Sequence, residues 1–152
     1  MIYLGVIGTG GCFIGSNPTH TFLELKHLLT ISQPKVLIVE PDLLENVLPA
    51  AKECGISTSN ILIFNTRSQT IPSGFKSWEI LLQAGESDWI RFDDEKLAKS
   101  TTAALLCTSG TSGLPKVAAL SHHALVAANI QAYDSKNKPY KVTSLLRTSF
   151  KT

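Results

Sequence analysis

Residues 36–64, VLIVEPDLLENVLPAAKECGISTSNILIF, contain two apolar runs separated by a helical pattern. The runs Val36–Val39 and Ile61–Phe64 are continuous and rich in β-branched residues, which is typical of strands buried on both faces. Between them, Pro41 suits the first turn of a helix and Gly55 suits the position just after its end. A strand, a helix and a second strand at this spacing predict a βαβ unit. We therefore expect the α/β class, with a parallel sheet flanked by helices.

A second helix is predicted before this unit. Thr21 and Glu24 have the spacing of a capping box, in which each side chain bonds the backbone of the other residue. Pro34 marks the end of this helix. Its apolar stripe consists of Leu25, Leu28 and Leu29.

Further elements are predicted downstream. Pro49 lies within the central helical span and favours a kink or a break there. Ser77–Ala84 is predicted as a short helix that ends at Gly85, and Glu86–Ser100 is a polar stretch. The apolar run Ala103–Cys107 then predicts a third strand.

The composition is that of an ordinary globular protein. The chain has 152 residues, of which 43% are hydrophobic and 17% charged, which argues against a disordered tail or a fibre. The formal net charge is +2, too small to indicate binding to nucleic acid or to an anionic membrane surface.

Residues 1–14 carry no charged side chain. This stretch is shorter than the roughly 20 residues of a membrane-spanning helix. It also lacks the basic start of a secretory signal, because the first basic residue is Lys26. We interpret it as part of the core and expect no membrane span. The cysteines Cys12, Cys54 and Cys107 form no C-x-x-C pair, which favours reduced thiols in a cytoplasmic protein.

The most informative segment is residues 105–116, LLCTSGTSGLPK, in which an apolar strand is followed by small residues and a lysine. Glycines allow the backbone N–H groups to converge on one anion, and hydroxyl groups add donors without bulk. Lys116 adds a positive charge. The segment is not a Walker A sequence, because Leu114 and Pro115 separate Gly113 from Lys116. This combination predicts a polyphosphate site.

The stretch Thr108–Lys116 resembles the phosphate-binding signature of the adenylate-forming enzymes, which include acyl-CoA synthetases, 4-coumarate–CoA ligases and firefly luciferase. Ala119–His122 is similar to the family's segment after that signature, and Asn17–Thr21 with Glu24-Leu25 is similar to its upstream "NPxxT…EL" segment. The resemblance covers nearly the whole chain, residues 1–152. It implies part of a large N-terminal AMP-binding domain, and a fungal-like branch of the family.

This resemblance implies an ATP-dependent acyl-CoA synthetase or ligase that adenylates a small carboxylic acid and passes the acyl group to coenzyme A. ATP, Mg²⁺ and coenzyme A are the implied cofactors. The residues that would bind the ATP phosphates are Thr108, Ser109, Gly110, Thr111, Ser112, Gly113 and Lys116.

The chain also departs from the family. Val117 stands where the family commonly has glycine, and a β-branched residue disfavours a positive φ. The family's adenine pocket, catalytic lysine and hinge would lie beyond Thr152, so we expect a fragment that is inactive by itself, with its catalytic residue unknown. The full-length protein would be cytoplasmic or peroxisomal. The alternative is a truncated, non-catalytic remnant that acts as a binding or interaction protein.

Other candidate sites are less well supported. Gly8-Thr9-Gly10-Gly11 fails as a dinucleotide fingerprint, because its third glycine would fall at Phe13. Adjacent residues such as His122-His123 diverge by about 100° on a helix and do not form a metal pair. His20 and His27 are interpreted as ordinary histidines. Asp93-Asp94-Glu95 is interpreted as the start of a helix rather than a cation site.

Overall fold

The computed structural model describes residues 2–108 and 113–134. Five α-helices and six strands occur in this part of the chain, together with short 3₁₀ helices at Pro41–Leu43, Thr58–Asn60 and Trp78–Ala84. The α-helices are α1 (Ile2–Gly8), α2 (Phe22–Ser32), α3 (Leu44–Glu53), α4 (Glu95–Ser100) and α5 (His122–Asp134). The strands are β1 (Phe13–Ile14), β2 (Leu37–Val39), β3 (Ile61–Ile63), β4 (Lys76–Ser77), β5 (Thr102–Thr108) and β6 (Lys116–Ser121).

The strands form two three-stranded sheets. One sheet has the order β2-β3-β4 and is parallel throughout, with Val39 opposite Ile63 and Ile63 opposite Ser77. The other has the order β1-β5-β6, in which β1 and β5 are parallel but β5 and β6 are antiparallel. The predicted α/β class is confirmed. The expected parallel arrangement is wrong for β5 and β6, because the chain returns directly along β5 instead of crossing over through a helix.

The main core lies between the parallel sheet and the helices α2 and α3. Ile61 and Ile63 of β3 are almost completely buried, as are Ala50 and Ala51 of α3. The small alanines allow α3 to approach the sheet closely, and the larger isoleucines fill the space between the layers. Other members of this cluster are Leu25, Leu29, Val39 and Leu44.

The helix signals in the sequence are confirmed at α2. Thr21 Oγ1 accepts a hydrogen bond from Glu24 N at 3.4 Å, and Glu24 Oε2 accepts one from Thr21 N at 2.7 Å. The helix ends with Gln33 in the left-handed region, just before Pro34. The polar ends of α2 are therefore satisfied locally, and the helix can begin and end where the sequence predicts.

Helix α3 also follows the prediction, with one exception. Gly55 has φ +72°, and the N–H groups of Gly55 and Ile56 donate to the carbonyl groups of Lys52 and Ala51. This is the hydrogen-bond pattern of a Schellman motif, which glycine favours. Of the kink or break predicted at Pro49, the break does not occur, because α3 continues past Pro49 to Glu53. The buried face formed with the sheet outweighs the one backbone hydrogen bond that proline removes.

The short helix after β4 is present as a 3₁₀ helix that ends at Gly85, close to its predicted bounds. Asp94 caps α4 by accepting a hydrogen bond from Leu97 N at 2.7 Å, which confirms that the acidic run starts a helix. The interpretation of residues 1–14 as core is wrong for the described part, residues 2–14. Only Gly8 is buried there, because α1 and β1 lie at the edge of the second sheet.

Among the described helices, none combines the length and the apolar character that crossing a bilayer requires.

Candidate functional site at the end of β5

The ends of the predicted phosphate-binding segment are held together by the pairing of β5 and β6. Thr108, the last residue of β5, lies opposite Lys116, the first residue of β6. Directly opposite residues of an antiparallel pair project their side chains to the same face. Thr108 Oγ1 also donates a hydrogen bond to the carbonyl oxygen of Lys116 at 3.4 Å. A hydroxyl group and an ammonium group are thus neighbours where the segment leaves and rejoins the sheet.

Three of the seven predicted phosphate-binding residues are described, namely Thr108, Gly113 and Lys116. The other four, Ser109, Gly110, Thr111 and Ser112, lie outside the described residues.

Gly113 adopts a backbone conformation that favours glycine. Its φ is +92°, and no atom of the described residues, its chain neighbours aside, lies within 4 Å of the position that a Cβ would occupy. The requirement for glycine therefore comes from the backbone conformation and not from lack of space. The two residues that follow differ in environment, since Leu114 is exposed and Pro115 is buried. Pro115 thus anchors the chain just before it enters β6.

Lys116 is exposed on β6 and, within the described part of the chain, forms no salt bridge. Its ammonium charge is available for an external anion. The next residue, Val117, lies in β6 opposite Cys107, where the backbone is extended. The departure from the family's usual glycine is therefore accommodated, because valine is well suited to a strand.

A second segment reaches the same edge of the sheet. Because β1 is parallel to β5, with Ile14 opposite Leu105, the segments that follow these two strands are neighbours. Cys107 Sγ donates a hydrogen bond to the carbonyl oxygen of Gly15 at 3.5 Å and links them directly. Between the segments is a groove of about 400 Å³. It is lined by Asn17, Thr19, His20, Glu24, Cys107, Thr108, Gly113 and Pro115.

The wall of this groove opposite β5 is a turn with its own hydrogen bonds, which we call the 16–20 turn. Asn17 Oδ1 accepts from the backbone N–H of Thr19 at 3.0 Å and from its hydroxyl at 2.9 Å. Ser16 Oγ and His20 Nδ1 are 3.0 Å apart. These contacts fix the turn before α2 begins, because short polar side chains replace the missing backbone partners.

Glu24 gives the groove a negative charge. Hydrogen bonds from the backbone N–H and then the hydroxyl of Thr21 lower the pKa of Glu24, and the nearby His20 contributes in the same direction. The carboxylate therefore remains ionised at neutral pH. Burial raises the pKa of the Cys107 thiol, so this thiol is protonated and is not suited to act as a nucleophile.

The sequence did not predict two parts of this site. Strand β6 was not identified, although Lys116-Val117-Ala118 and the preceding Gly113 resemble a turn followed by a strand. The contact between the 16–20 turn and the end of β5 was also not predicted. The available signal was the order of the apolar runs, since two parallel neighbours end at one edge of a sheet.

The alternative sites have structural explanations. The glycine string at residues 8–11 begins at the last residue of helix α1 and does not follow a strand, and Gly8 packs against the ring of Trp89. The ring of His122 stacks on Phe92 with a centroid distance of 3.8 Å. In residues 2–108 and 113–134, no three His, Cys, Asp or Glu side chains are grouped to hold a metal ion.

Comparison with known proteins identifies the family. An acyl-CoA synthetase, ACTT5 of Alternaria alternata, is 44% identical over 138 residues, which cover 87% of this chain and 24% of that protein. A phenylacetyl-CoA ligase, epaB of Aspergillus niger, is 39% identical over 99% of this chain and 28% of its own length. The chain spans about a quarter of the length of the curated relatives that it matches.

Solved structures have the same fold. A red-emitting luciferase from Phrixothrix hirtus superposes with a TM-score of 0.71 at 19% identity, over 87% of this chain and 25% of that one. ATP-bound MatB from Rhodopseudomonas palustris gives a TM-score of 0.58 at 27% identity, over 88% of this chain and 24% of that one. The sequence profile described as "AMP-binding enzyme" matches residues 1–149. Since that match takes in nearly the whole sequence, the chain belongs to the family of AMP-binding enzymes.

Proposed function

We propose that this chain supplies the ATP phosphate-binding part of an acyl-CoA synthetase. The observation that carries the proposal is the arrangement at the ends of β5 and β6. Thr108 and Gly113 line one groove, and Lys116 lies opposite Thr108 on the paired strand. The names of the relatives support the same activity, since they include acyl-CoA synthetases and ligases.

In the proposed reaction, the carboxylate of a small acid attacks the α-phosphorus of ATP, and pyrophosphate leaves as the acyl-adenylate forms. The residues Thr108, Ser109, Gly110, Thr111, Ser112, Gly113 and Lys116 would hold the β- and γ-phosphates. The Lys116 ammonium would offset the negative charge on the leaving pyrophosphate, which is electrostatic stabilisation. Coenzyme A would then accept the acyl group through its thiol, with release of AMP.

The described residues fit a magnesium ion that arrives with the nucleotide. Mg²⁺ prefers oxygen ligands and is usually held by substrate phosphates, by waters and by one or two protein oxygens. The exposed Thr108 hydroxyl is a suitable oxygen at the end of β5. When bound, the ion supplies charge neutralisation at the phosphates.

The acid substrate is proposed only as a class. Phenylacetate is the acid named for one relative, and nicotinic acid is named for two others that are about 30% identical. Both are small aromatic carboxylic acids. We therefore propose a small carboxylic acid as the substrate of the enzyme to which this chain belongs.

The test compares two lysine variants in calorimetric titrations with Mg·ATP. Lys116→Ala should weaken binding at least about tenfold, because a hydrogen bond to a charged group is worth about 1.5–3 kcal/mol. Lys76→Ala is the matched control, since Lys76 is also exposed but lies on β4 in the other sheet. It should leave the affinity unchanged. Equal affinities for the wild type and both variants would contradict the proposal.

A binding or interaction protein is the second candidate. It is favoured by large apolar side chains on the described surface, among them Leu82, Trp89 and Tyr133, which are 64%, 60% and 86% exposed. Apolar surface of this kind contacts another protein when its side chains form one patch. A chain that binds no Mg·ATP but associates with itself or with other proteins in sedimentation experiments would support this candidate.

A further inference from the structure

The groove has a wall that the phosphate-binding signature does not include. The 16–20 turn lies across from Thr108 and Gly113, and its last residue, His20, lines the groove. We propose that His20 binds the polyphosphate end of the nucleotide from this second wall. This inference rests on the proposed function and adds to it a binding residue outside the signature.

The ring of His20 is held in place by its own turn. Ser16 Oγ lies 3.0 Å from Nδ1, so one ring nitrogen is occupied within the turn. An imidazole has two ring nitrogens, and a bond at Nδ1 leaves Nε2 for a ligand. The contact with Ser16 also reduces the rotameric freedom that His20 would otherwise lose on binding.

Several other polar groups of the lining already form hydrogen bonds within the described part of the chain. Asn17 Oδ1 accepts two hydrogen bonds from Thr19, and the Cys107 thiol donates to Gly15. The Thr108 hydroxyl donates a hydrogen bond to the Lys116 carbonyl oxygen. At 3.4 Å this bond is long, and a bond to a ligand could replace it. Within the described residues, Nε2 of His20 is therefore available to a ligand, as is the amide Nδ2 of Asn17, since neither atom forms a hydrogen bond there.

The charge of Glu24 determines the form of phosphate that this groove accepts. Its carboxylate receives two hydrogen bonds from Thr21 and lies at the N-terminus of α2, where the helix dipole stabilises a negative charge. A bare polyphosphate would be repelled by this group, whereas a magnesium complex carries less negative charge. We therefore expect the groove to bind Mg·tripolyphosphate in preference to free tripolyphosphate.

Two substitutions of His20 separate its two ring nitrogens. In His20→Gln, the side-chain amide reaches the position of Nε2. In His20→Asn, the shorter amide takes the place of Nδ1 and retains a partner for Ser16, but it does not reach the ligand. If His20 acts only by holding Ser16, His20→Asn should keep the affinity for the ligand. If His20 binds the ligand directly, His20→Gln should keep it.

The experiment is a calorimetric titration of the 152-residue chain with Mg·tripolyphosphate, with Lys116→Ala measured alongside. We expect His20→Asn to weaken binding about tenfold and His20→Gln to remain within about threefold of the wild type. Both variants should unfold at the wild-type temperature. If asparagine preserves the affinity and glutamine does not, or if neither variant changes it, the role of His20 is overturned.

The same titration separates this inference from the proposed function. If Lys116→Ala weakens binding and the His20 variants do not, only the role of His20 is wrong. If the wild type does not bind Mg·tripolyphosphate, or if Lys116→Ala leaves its affinity unchanged, the proposed function is overturned, and the role of His20 with it.

Discussion

Ile63 is the residue whose truncation tests the core of the parallel sheet most clearly. It is the last residue of β3, the middle strand of its sheet, where it lies between Val39 of β2 and Ser77 of β4, and none of its surface is exposed. Because strands lie on both sides and helices pack on the sheet, the surroundings have little freedom to fill the space that a smaller side chain leaves. Ile63→Ala should lower the free energy of unfolding by about 3–5 kcal/mol, and Ile63→Val by about 1 kcal/mol.

The assay is urea-induced unfolding followed by tryptophan fluorescence. Trp78 is a suitable probe, because its ring lies 5.3 Å from that of Phe64, the residue after β3. Leu106→Ala is the matched control: Leu106 is also on a strand but is 50% exposed, so its truncation should cost less than about 1 kcal/mol. If Ile63→Ala costs no more than Leu106→Ala, the assignment of β3 to the core is wrong.

Three further predictions concern helix capping, backbone conformation and close packing. Thr21→Ala should cost about 1 kcal/mol at pH 7. Because the pKa of Glu24 is lowered in the folded state, the stabilising effect of the Glu24 carboxylate is complete above its ordinary pKa of 4.5 and is lost as the pH falls through the folded value. The free energy of unfolding should therefore fall less with acidification in Thr21→Ala than in the wild type. The same loss in both proteins would contradict the capping box. Gly113→Ala should lower the free energy of unfolding by about 1–2 kcal/mol through the positive φ alone, which thermal unfolding measures. It should also weaken Mg·ATP binding in calorimetric titrations. No change in either quantity would contradict the backbone conformation assigned to Gly113. Gly8→Ala places a Cβ 2.8 Å from the ring of Trp89, so the half-exposed ring should move into solvent and shift the fluorescence to the red, whereas an unchanged spectrum would refute this packing.

Short-range signals in the sequence predicted α2 and α3 well, whereas α1 and α5 were not predicted. The reciprocal bonds of Thr21 and Glu24 involve residues three positions apart, so their geometry depends little on the rest of the fold. The positive φ of Gly55 is similar, because it follows from how a helix ends. The effect of Pro49 could not be predicted in this way. Whether α3 continues through Pro49 depends on how the helix packs against the sheet, which a rule based on neighbouring residues does not include.

Long-range pairing was harder to predict. The strand pattern of residues 116–121 is weak, and nothing local indicates whether β6 follows β5 in a parallel or an antiparallel direction. The prediction that residues 2–14 belong to the core was wrong for a related reason. Its composition is that of a core segment, but its burial depends on which neighbours it contacts, and here it lies at a sheet edge.

The sequence predicts which residues would bind phosphate but not the surroundings of the three that the structure describes, Thr108, Gly113 and Lys116. The small residues and Lys116 indicate phosphate binding through their own chemistry. The groove depends instead on the parallel pairing of β1 with β5, which brings His20 and Thr108 to the same groove although they are far apart in the sequence. Such a contact follows from topology, and a single sequence carries little information about it.

The most direct test of the central claim is an NMR titration of the ¹⁵N-labelled chain with Mg·ATP. If the ends of β5 and β6 bind the phosphates, the largest amide shifts should occur at Thr108, Gly113 and Lys116. Shifts should be small in the groove of about 660 Å³ between α2 and α3, which Lys35 and Asn60 line. The opposite distribution, with the largest shifts at Lys35 and Asn60 and none at the end of β5, would contradict the account.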